Sequence, residues 1–406
     1  MFRSARDSRT FLTILLTYTL DLVGFSIVFP VLAPLLLNPD LHFFPSGTAV
    51  ADRTSILGLL YAFFGISQFF GAPVAGVLAD HFGRFKTFIW TISLSIFGYA
   101  VMAVSLYLQN LPLLFAGRIL TGLCSGNFAL AQSATADLTD EHNRTRAFGV
   151  LNGVGGLGFV AGPWVGGKLA NPEWLSGSGA FIFAAIAALI NLGAVYFFFE
   201  ETFVRKGGHA ESGLSKTFKD IQLVFHQKTL RKLLACHLIF SIGWAFFLIF
   251  SPTYLVQKFS LGADRIGDIF AYMAVIWFFV SMFLNKELIG YFSLRTLILT
   301  GLFLSIVGVA VFVWPEVLWP YWFLIPLALT GGALSWVNLS SILSVRASSQ
   351  MQGRVMGASG AMWSIGQIVA PLVAGPLAGW NIYSPLLVGS SIIALAFLYF
   401  LVSYRD

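Results

Sequence analysis

Charge is what this chain has least of. Only 10% of its 406 residues are Asp, Glu, Lys or Arg, against about 25% in an ordinary soluble protein. So few charges cannot clothe a water-facing surface. With 57% hydrophobic residues and a mean hydropathy of +0.81, a set of soluble domains is excluded. Cysteine is as scarce: Cys124 and Cys236 both fall in apolar stretches, which leaves no disulfide framework. No Cys/His spacing suits a metal. Gly162 to Lys168 mimics a phosphate loop, but Leu169 stands where Ser or Thr is needed and no strand precedes it. The chain is therefore not expected to be an enzyme, nor to need a metal or cofactor. Its net charge of +6 does not make it a nucleic-acid binder either. Such proteins gather Lys and Arg on one face, whereas here they sit in short clusters between long apolar runs. Nor is the start a signal peptide. The basic stretch Met1 to Thr10 leads into about 27 apolar residues with no small-residue cleavage site, and reads as a first span that is kept.

What the sequence has is apolar length. A bilayer core takes about 20 apolar residues per helix. Runs between charged or Pro/Gly-rich breaks predict twelve helices, at 11–37, 54–79, 86–108, 112–137, 145–170, 178–199, 229–257, 264–287, 295–314, 319–346, 353–380 and 384–404. Of the 24 Lys and Arg, nineteen fall in the segments that are cytoplasmic if the N-terminus is, four fall outside, and Arg118 lies within a span. That excess predicts two cytoplasmic termini and an even number of spans. The one long hydrophilic segment, near the middle of the chain, reads as a solvated linker. A shift of 208 residues then superposes Arg146 on Arg354, Gly149 on Gly357, Gly158 on Gly366, Pro163 on Pro371, Gly167 on Gly375 and Leu169 on Leu377. Two halves of like orientation are what a parallel-repeat transporter requires. The expected fold is an all-α membrane protein of twelve transmembrane helices, with one six-helix half at 1–200, a cytoplasmic linker at 201–228 and a second half at 229–406.

Charges inside a bilayer are costly and are candidates for function. Of eighteen acidic residues only Asp21 falls near the middle of a span. Eleven residues separate it from Thr10, or about 16 Å of helix. A carboxyl at that depth, in a cavity that alternately dries and wets, could carry a proton; the plainer reading is a carboxylate satisfied by Ser, Thr or backbone. Arg118 is the sole intramembrane base and His237 the sole intramembrane histidine. Each has a packing alternative: Arg118 bonded to carbonyls of a kinked neighbour, His237 a satisfied core group. Phe240, Trp244, Phe247, Phe250 and Tyr254 recur at helical spacing in span seven, as packing or as the wall of an apolar cavity. Between spans two and three lies Gly76-Val-Leu-Ala-Asp80-His-Phe-Gly83-Arg84. Its glycines suit a tight turn and close helix approach. Asp80 can cap a helix or pair with a base, and Arg84 can pair with a carboxylate such as Asp137.

That segment resembles the signature loop of the major facilitator superfamily. Leu20-Asp21 to Pro30 resembles the first helix of tetracycline–proton antiporters and their multidrug relatives, where the matching aspartate is implicated in transport. Ala116-Gly117-Arg118 to Gly122 resembles the family's fourth-helix motif, whose arginine is linked to proton coupling. Gly153 to Gly167, with Gly158, Gly162, Pro163, Gly166 and Gly167, resembles the fifth-helix motif of antiporters; Gly162, Gly166 and Gly167 are expected to allow close packing between the two halves. The match departs in two respects, one being that the signature loop's counterpart after span eight, Asn285 to Arg295, is degraded. Tetracycline antiporters carry further carboxylates in helices three and nine, but 86–108 and 295–314 hold no Asp or Glu. That argues against tetracycline as the substrate and leaves proton coupling to fewer groups.

The resemblance implies a proton-coupled secondary transporter that works by alternating access and exports small, partly apolar compounds. The competing expectation is a facilitator or proton symporter for a nutrient or metabolite. Proton coupling falls to Asp21, Arg118 and His237, and gating to Gly76, Asp80, Gly83, Arg84 and Asp137. Candidate cavity residues are Gln68, Asn127, Gln132, Phe240, Trp244, Phe247, Trp336, Asn338, Trp363 and Gln367. The expected partners are a small-molecule substrate, protons and the lipid bilayer, for a monomer in a bacterial-type inner membrane that draws on the proton gradient.

Overall fold

Long apolar runs cannot leave backbone groups unpaired in lipid, so they become helices. In the computed structural model residues 5–173, 175–203, 222–348 and 351–404 are described, and among them there is no strand. Twelve helices are long and apolar enough to span a membrane. They are α1 (Arg6–Leu37), α2 (Val50–Phe82), α3 (Arg84–Tyr107), α4 (Leu111–Leu138), α5 (Arg146–Leu169), α6 (Gly179–Phe198), α7 (Lys228–Phe259), α8 (Ala263–Ile289), α9 (Leu294–Val311), α10 (Tyr321–Arg346), α11 (Gln352–Trp380) and α12 (Ser384–Ser403). Each end lies within five residues of the position the hydrophobic runs predict. The expected linker falls mostly outside the described residues, at 204–221.

Three helices are interrupted, each for a local reason. In α1 the regular helix stops at Ser26 and resumes at Phe29, because Pro30 has no N–H to give the turn before it. The Ser26 hydroxyl turns back onto the Leu22 carbonyl at 2.7 Å. In α4 the break falls at Ser125–Gly126, and the chain resumes at Asn127. In α8 a π-helical turn covers Val280–Leu284 and delivers Asn285 to a buried position.

Contacts group the chain into two units, and the grouping departs from the sequence halves at two places. One unit is Met1–Ser46, Phe63–Lys216 and Leu261–Ala271; the other is Gly47–Ala62, Thr217–Ser260 and Tyr272–Asp406. In the first, α1 packs on α5, and α3 packs on α4 and α6. In the second, α7 packs on α11 and α12, and α9 packs on α10 and α12. The start of α8 joins the first unit because small residues bring it against α5. A Cβ on Gly167 would collide with the Ala263 carbonyl, and one on Gly267 would lie 2.6 Å from the Pro163 carbonyl. Lys168 closes the contact with a 2.9 Å bond to Asp268. The start of α2 joins the second unit in the same way: Gly58 meets the Pro371 carbonyl, and Gly375 meets Thr54 and Ser55. The 208-residue repeat therefore reappears as contact chemistry, with Pro163 and Gly167 doing for α8 what Pro371 and Gly375 do for α2.

The fifth-helix glycines need a correction. Gly162 and Gly166 were expected between the halves together with Gly167, but like Gly158 they face α1 within the first unit, Gly158 against Thr19, Gly162 against Val23 with Ser26, and Gly166 against Ile27. Of the five residues of that motif, Gly167 and the Pro163 carbonyl meet α8. The spacing explains the split, since 158, 162 and 166 share one stripe of a helix and 167 lies off it. Gly162→Leu must then force α1 and α5 apart, at a cost of about 1–3 kcal/mol for overpacking. Gly153→Leu is the control, because nothing lies within 4 Å of a Cβ there. Thermal unfolding of the purified protein should show a clear loss for the first and little change for the second. Equal melting of both variants would contradict the packing described.

Candidate functional site

Helix α2 runs through Phe82, Gly83 is the single residue between helices, and α3 starts at Arg84. Gly83 sits at φ +90°, a region costly for any residue with a Cβ, and its Cβ position is already filled by the Glu201 carboxylate. Gly76 differs from the expectation: it lies inside α2 with open space at its Cβ, so no close approach requires it. Arg84 is buried and forks between two acids, Asp80 and Asp137, at 3.2 Å each. Its guanidinium also lies 5.1 Å from the centre of the Phe203 ring. The first turn of α3 is capped from afar. Glu201 accepts from the backbone N–H of Arg84 at 2.9 Å and of Phe85 at 3.1 Å, and from that of Phe203 at 2.9 Å. Glu200 beside it pairs with Arg6 and Arg9 of α1. A carboxylate at a helix N-terminus satisfies orphan donors and meets the positive end of the helix dipole.

Glu201 and Phe203 were not anticipated from the sequence. The available signal was Glu200-Glu201, an acid pair directly after an apolar span and facing basic loops. Removing such a cap costs about 0.5–2 kcal/mol. In Glu201→Ala the amides of Arg84 and Phe85 should exchange with deuterium faster than in the parent protein, while those at the middle of α3 keep their rate. Unchanged exchange at 84–85 would remove Glu201 from this role.

The second group lies at mid-helix in the same unit. The break in α4 aims Asn127 at α1 and α3: its amide nitrogen donates to Asp21 at 3.4 Å, and its oxygen accepts from the Thr91 hydroxyl. Tyr99 of α3 presses its hydroxyl on Gly24, so no larger residue fits there. Arg118 is buried, with its guanidinium 4.3 Å from the centre of the Phe64 ring. Gln68 of α2 is half-buried with its carbonyl oxygen unpartnered. Gln132 is half-buried within hydrogen-bond reach of Tyr18, which also donates to Asn152 at 3.1 Å. Asp21, Asn127, Thr91 and Tyr99 thus form a polar island in an apolar unit. A carboxyl held by a neutral amide can exist in either protonation state without breaking an ion pair.

The remaining candidates belong to the second unit. Phe240, Trp244 and Phe247 are sealed in packing: Trp244 meets Phe240, Phe247 and Trp277, and its ring fills the space over Gly332. They form core here, not an open wall, because their helical stripe points at α8 and α10. Asn338 is buried and spent on Asn285 at 2.7 Å and on the Leu334 carbonyl. His237 is fully buried, with Nδ1 3.0 Å from the Ser359 hydroxyl and its ring 4.9 Å from that of Trp336. Trp363 meets Trp336 edge-on at 5.0 Å, and Gln367 follows one turn along α11.

An all-helical chain of twelve spans with this loop and this mid-helix acid defines a membrane transporter, and the comparisons name the class. Residues 14–371 match the Major Facilitator Superfamily, and the chain belongs to that family. It is 29% identical over 369 residues to the class H tetracycline resistance protein of Pasteurella multocida, covering 90% of this chain and 88% of the relative. The quinolone resistance protein NorA of Staphylococcus aureus (strain MSSA476) is 25% identical over 340 residues, with 82% and 83% covered. Among solved structures, a D-xylose–proton symporter superposes with a TM-score of 0.78 at 15% identity, covering 98% of each chain. The human organic anion transporter MFSD10 gives 0.71 at 20%, covering 98% of this chain and 100% of its own. These solved structures share the fold; the resistance proteins share sequence along nearly the whole chain.

Proposed function

We propose that this protein is a proton-coupled exporter of small, partly apolar compounds, working by alternating access. One observation carries the reading: a lone mid-helix carboxyl, Asp21, is held by the neutral amide of Asn127, so that gaining and losing a proton breaks no ion pair. The two resistance relatives support export as the direction. The absence of Asp and Glu from α3 and α9 speaks for a substrate other than tetracycline. In this reading Asp80, Arg84 and Asp137 latch the cytoplasmic side, both termini are cytoplasmic, and a monomer works in a bacterial-type inner membrane. The basic residues, nineteen to four, support that orientation.

Dissipating the proton gradient in cells that express the protein tests the reading. Dye accumulation should rise for an exporter. A fall would favour the symporter alternative, and indifference would speak for a facilitator or channel.

A further inference from the structure

The helix ends that face the cytoplasm in the orientation proposed above carry different charge in the two units. Among the described residues, segments 5–9, 80–86, 137–146 and 200–203 of the first unit hold six Lys and Arg against seven Asp and Glu. Segments 222–232, 285–295, 346–354 and 401–404 of the second hold seven against one. The tendency of Lys and Arg to stay inside accounts for the side but not for the split. In the first unit the charges meet each other: Arg84 lies between Asp80 and Asp137, and Glu200 pairs with Arg6 and Arg9. In the second, the cations rest on neutral groups. Lys232 of α7 donates to the Ser403 carbonyl at the end of α12, and Arg346 of α10 to the hydroxyl of Tyr404 beside it, each at 3.0 Å. Gln227 ties the start of α7 to Met351 at the start of α11, one turn before Arg354. Lys228, Arg231, Lys232, Arg346 and Arg354 thus lie along one joined rim, and all are exposed. Lys228, Arg231, Lys232 and Arg346 make no ion pair with an acid among the described residues.

We propose that this rim of the second unit is a docking surface for the headgroups of anionic phospholipids. It rests on the proposed orientation, which puts these helix ends at the cytoplasmic leaflet. Like charges one turn apart on a helix, as Lys228 and Lys232 are, repel each other, and an anion beside them removes that cost. Spans end where headgroups lie, so the anion at highest local concentration there is a lipid phosphate. Clusters of about four to eight Lys and Arg just inside a span attract acidic lipids for this reason. Arg346 bonds Tyr404 through Nε and keeps two guanidinium nitrogens for phosphate oxygens, while the lysines act as point charges. The first unit balances its inner charges within itself; the second leaves the balance to the membrane.

The test is native mass spectrometry of the full-length protein in neutral detergent, titrated with phosphatidylglycerol or with phosphatidylcholine of the same acyl chains. Phosphatidylglycerol should bind more tightly. Lys232→Gln and Arg346→Gln should each weaken it about fivefold, the worth of one cation at an acidic surface, and leave phosphatidylcholine unchanged. Lys228→Gln and Arg231→Gln should act alike; their side chains have no partner among the described residues, so folding is not at issue. Arg146→Gln removes one positive charge from the first unit and should leave the affinity as it is. Equal phosphatidylglycerol affinity in the parent and the four variants of the second unit would overturn the proposal. So would an equal loss in Arg146→Gln, which would mean that net charge alone is read. Displacement of the lipid by millimolar inorganic phosphate would also overturn it, in favour of a site for a soluble anion. Failure of the orientation looks different: the lipid pattern would stand while a membrane-impermeant maleimide labelled Thr229→Cys from outside.

Discussion

Asp21→Asn is expected to abolish transport against a gradient while leaving downhill exchange of substrate in place. A carboxyl surrounded by apolar helices must be neutral or matched by a positive partner, because an isolated buried charge is too costly. The hydrogen-bond partner of Asp21 is the Asn127 amide, which tolerates both forms. If this group carries the coupled proton, each cycle loads it from one side and empties it to the other. Asn copies the shape and the neutral state but cannot titrate, so alternation continues and coupling stops. Asp21→Glu keeps a titrating group one methylene away and should retain part of the activity with a displaced pH profile. The measurement is substrate movement in proteoliposomes with only a proton gradient supplied. An Asn variant that still pumps uphill would take the coupling role from Asp21.

Arg84→Ala should slow turnover about tenfold without weakening substrate binding. Arg84 is the shared cation of Asp80 and Asp137, and without it both acids lose this partner. Charge-assisted bonds contribute about 1–3 kcal/mol each when buried. Asp80 is 46% exposed and belongs at the low end, while the Arg84 side chain is only 10% exposed. A loss of about 1.4 kcal/mol shifts a two-state equilibrium tenfold. The latch lies on the α2–α3 turn and shares no residue with the Asp21 or His237 groups, so binding should survive. Paired measurements of transport rate and equilibrium binding separate the two effects. Wild-type turnover in Arg84→Ala would end the latch.

The helices were legible because lipid removes ambiguity: a long apolar run has one outcome, and twelve runs gave twelve spans. The breaks in α1 and α4 were less so. Pro30 and Gly126 are visible in the sequence, but whether a proline kinks a helix or only starts its next turn depends on what packs beside it. Asp21, Arg84 and Asp137 stood out since charge near a span is rare. Glu201 did not, because a carboxylate just past the end of α6 looks like any loop acid until the fold brings the first turn of α3 to it. The aromatic stripe Phe240, Trp244 and Phe247 illustrates the opposite limit. Helical spacing says that these rings share a face, but not whether the face meets a cavity or another helix, and here it meets packed neighbours. The fifth-helix glycines were recognised as packing residues, and only structure could say that three of them serve α1 while Gly167 serves α8.

Proton-coupled export is tested most directly with the unmodified protein in sealed proteoliposomes, a fluorescent apolar dye at equal concentration on both sides, and an imposed pH gradient as the only energy source. The prediction is net movement of dye opposite to the flow of protons, to a concentration ratio above one, collapsing when a protonophore is added. Dye that stays at equal concentration under the gradient, or that moves in the same direction as the protons, would contradict it.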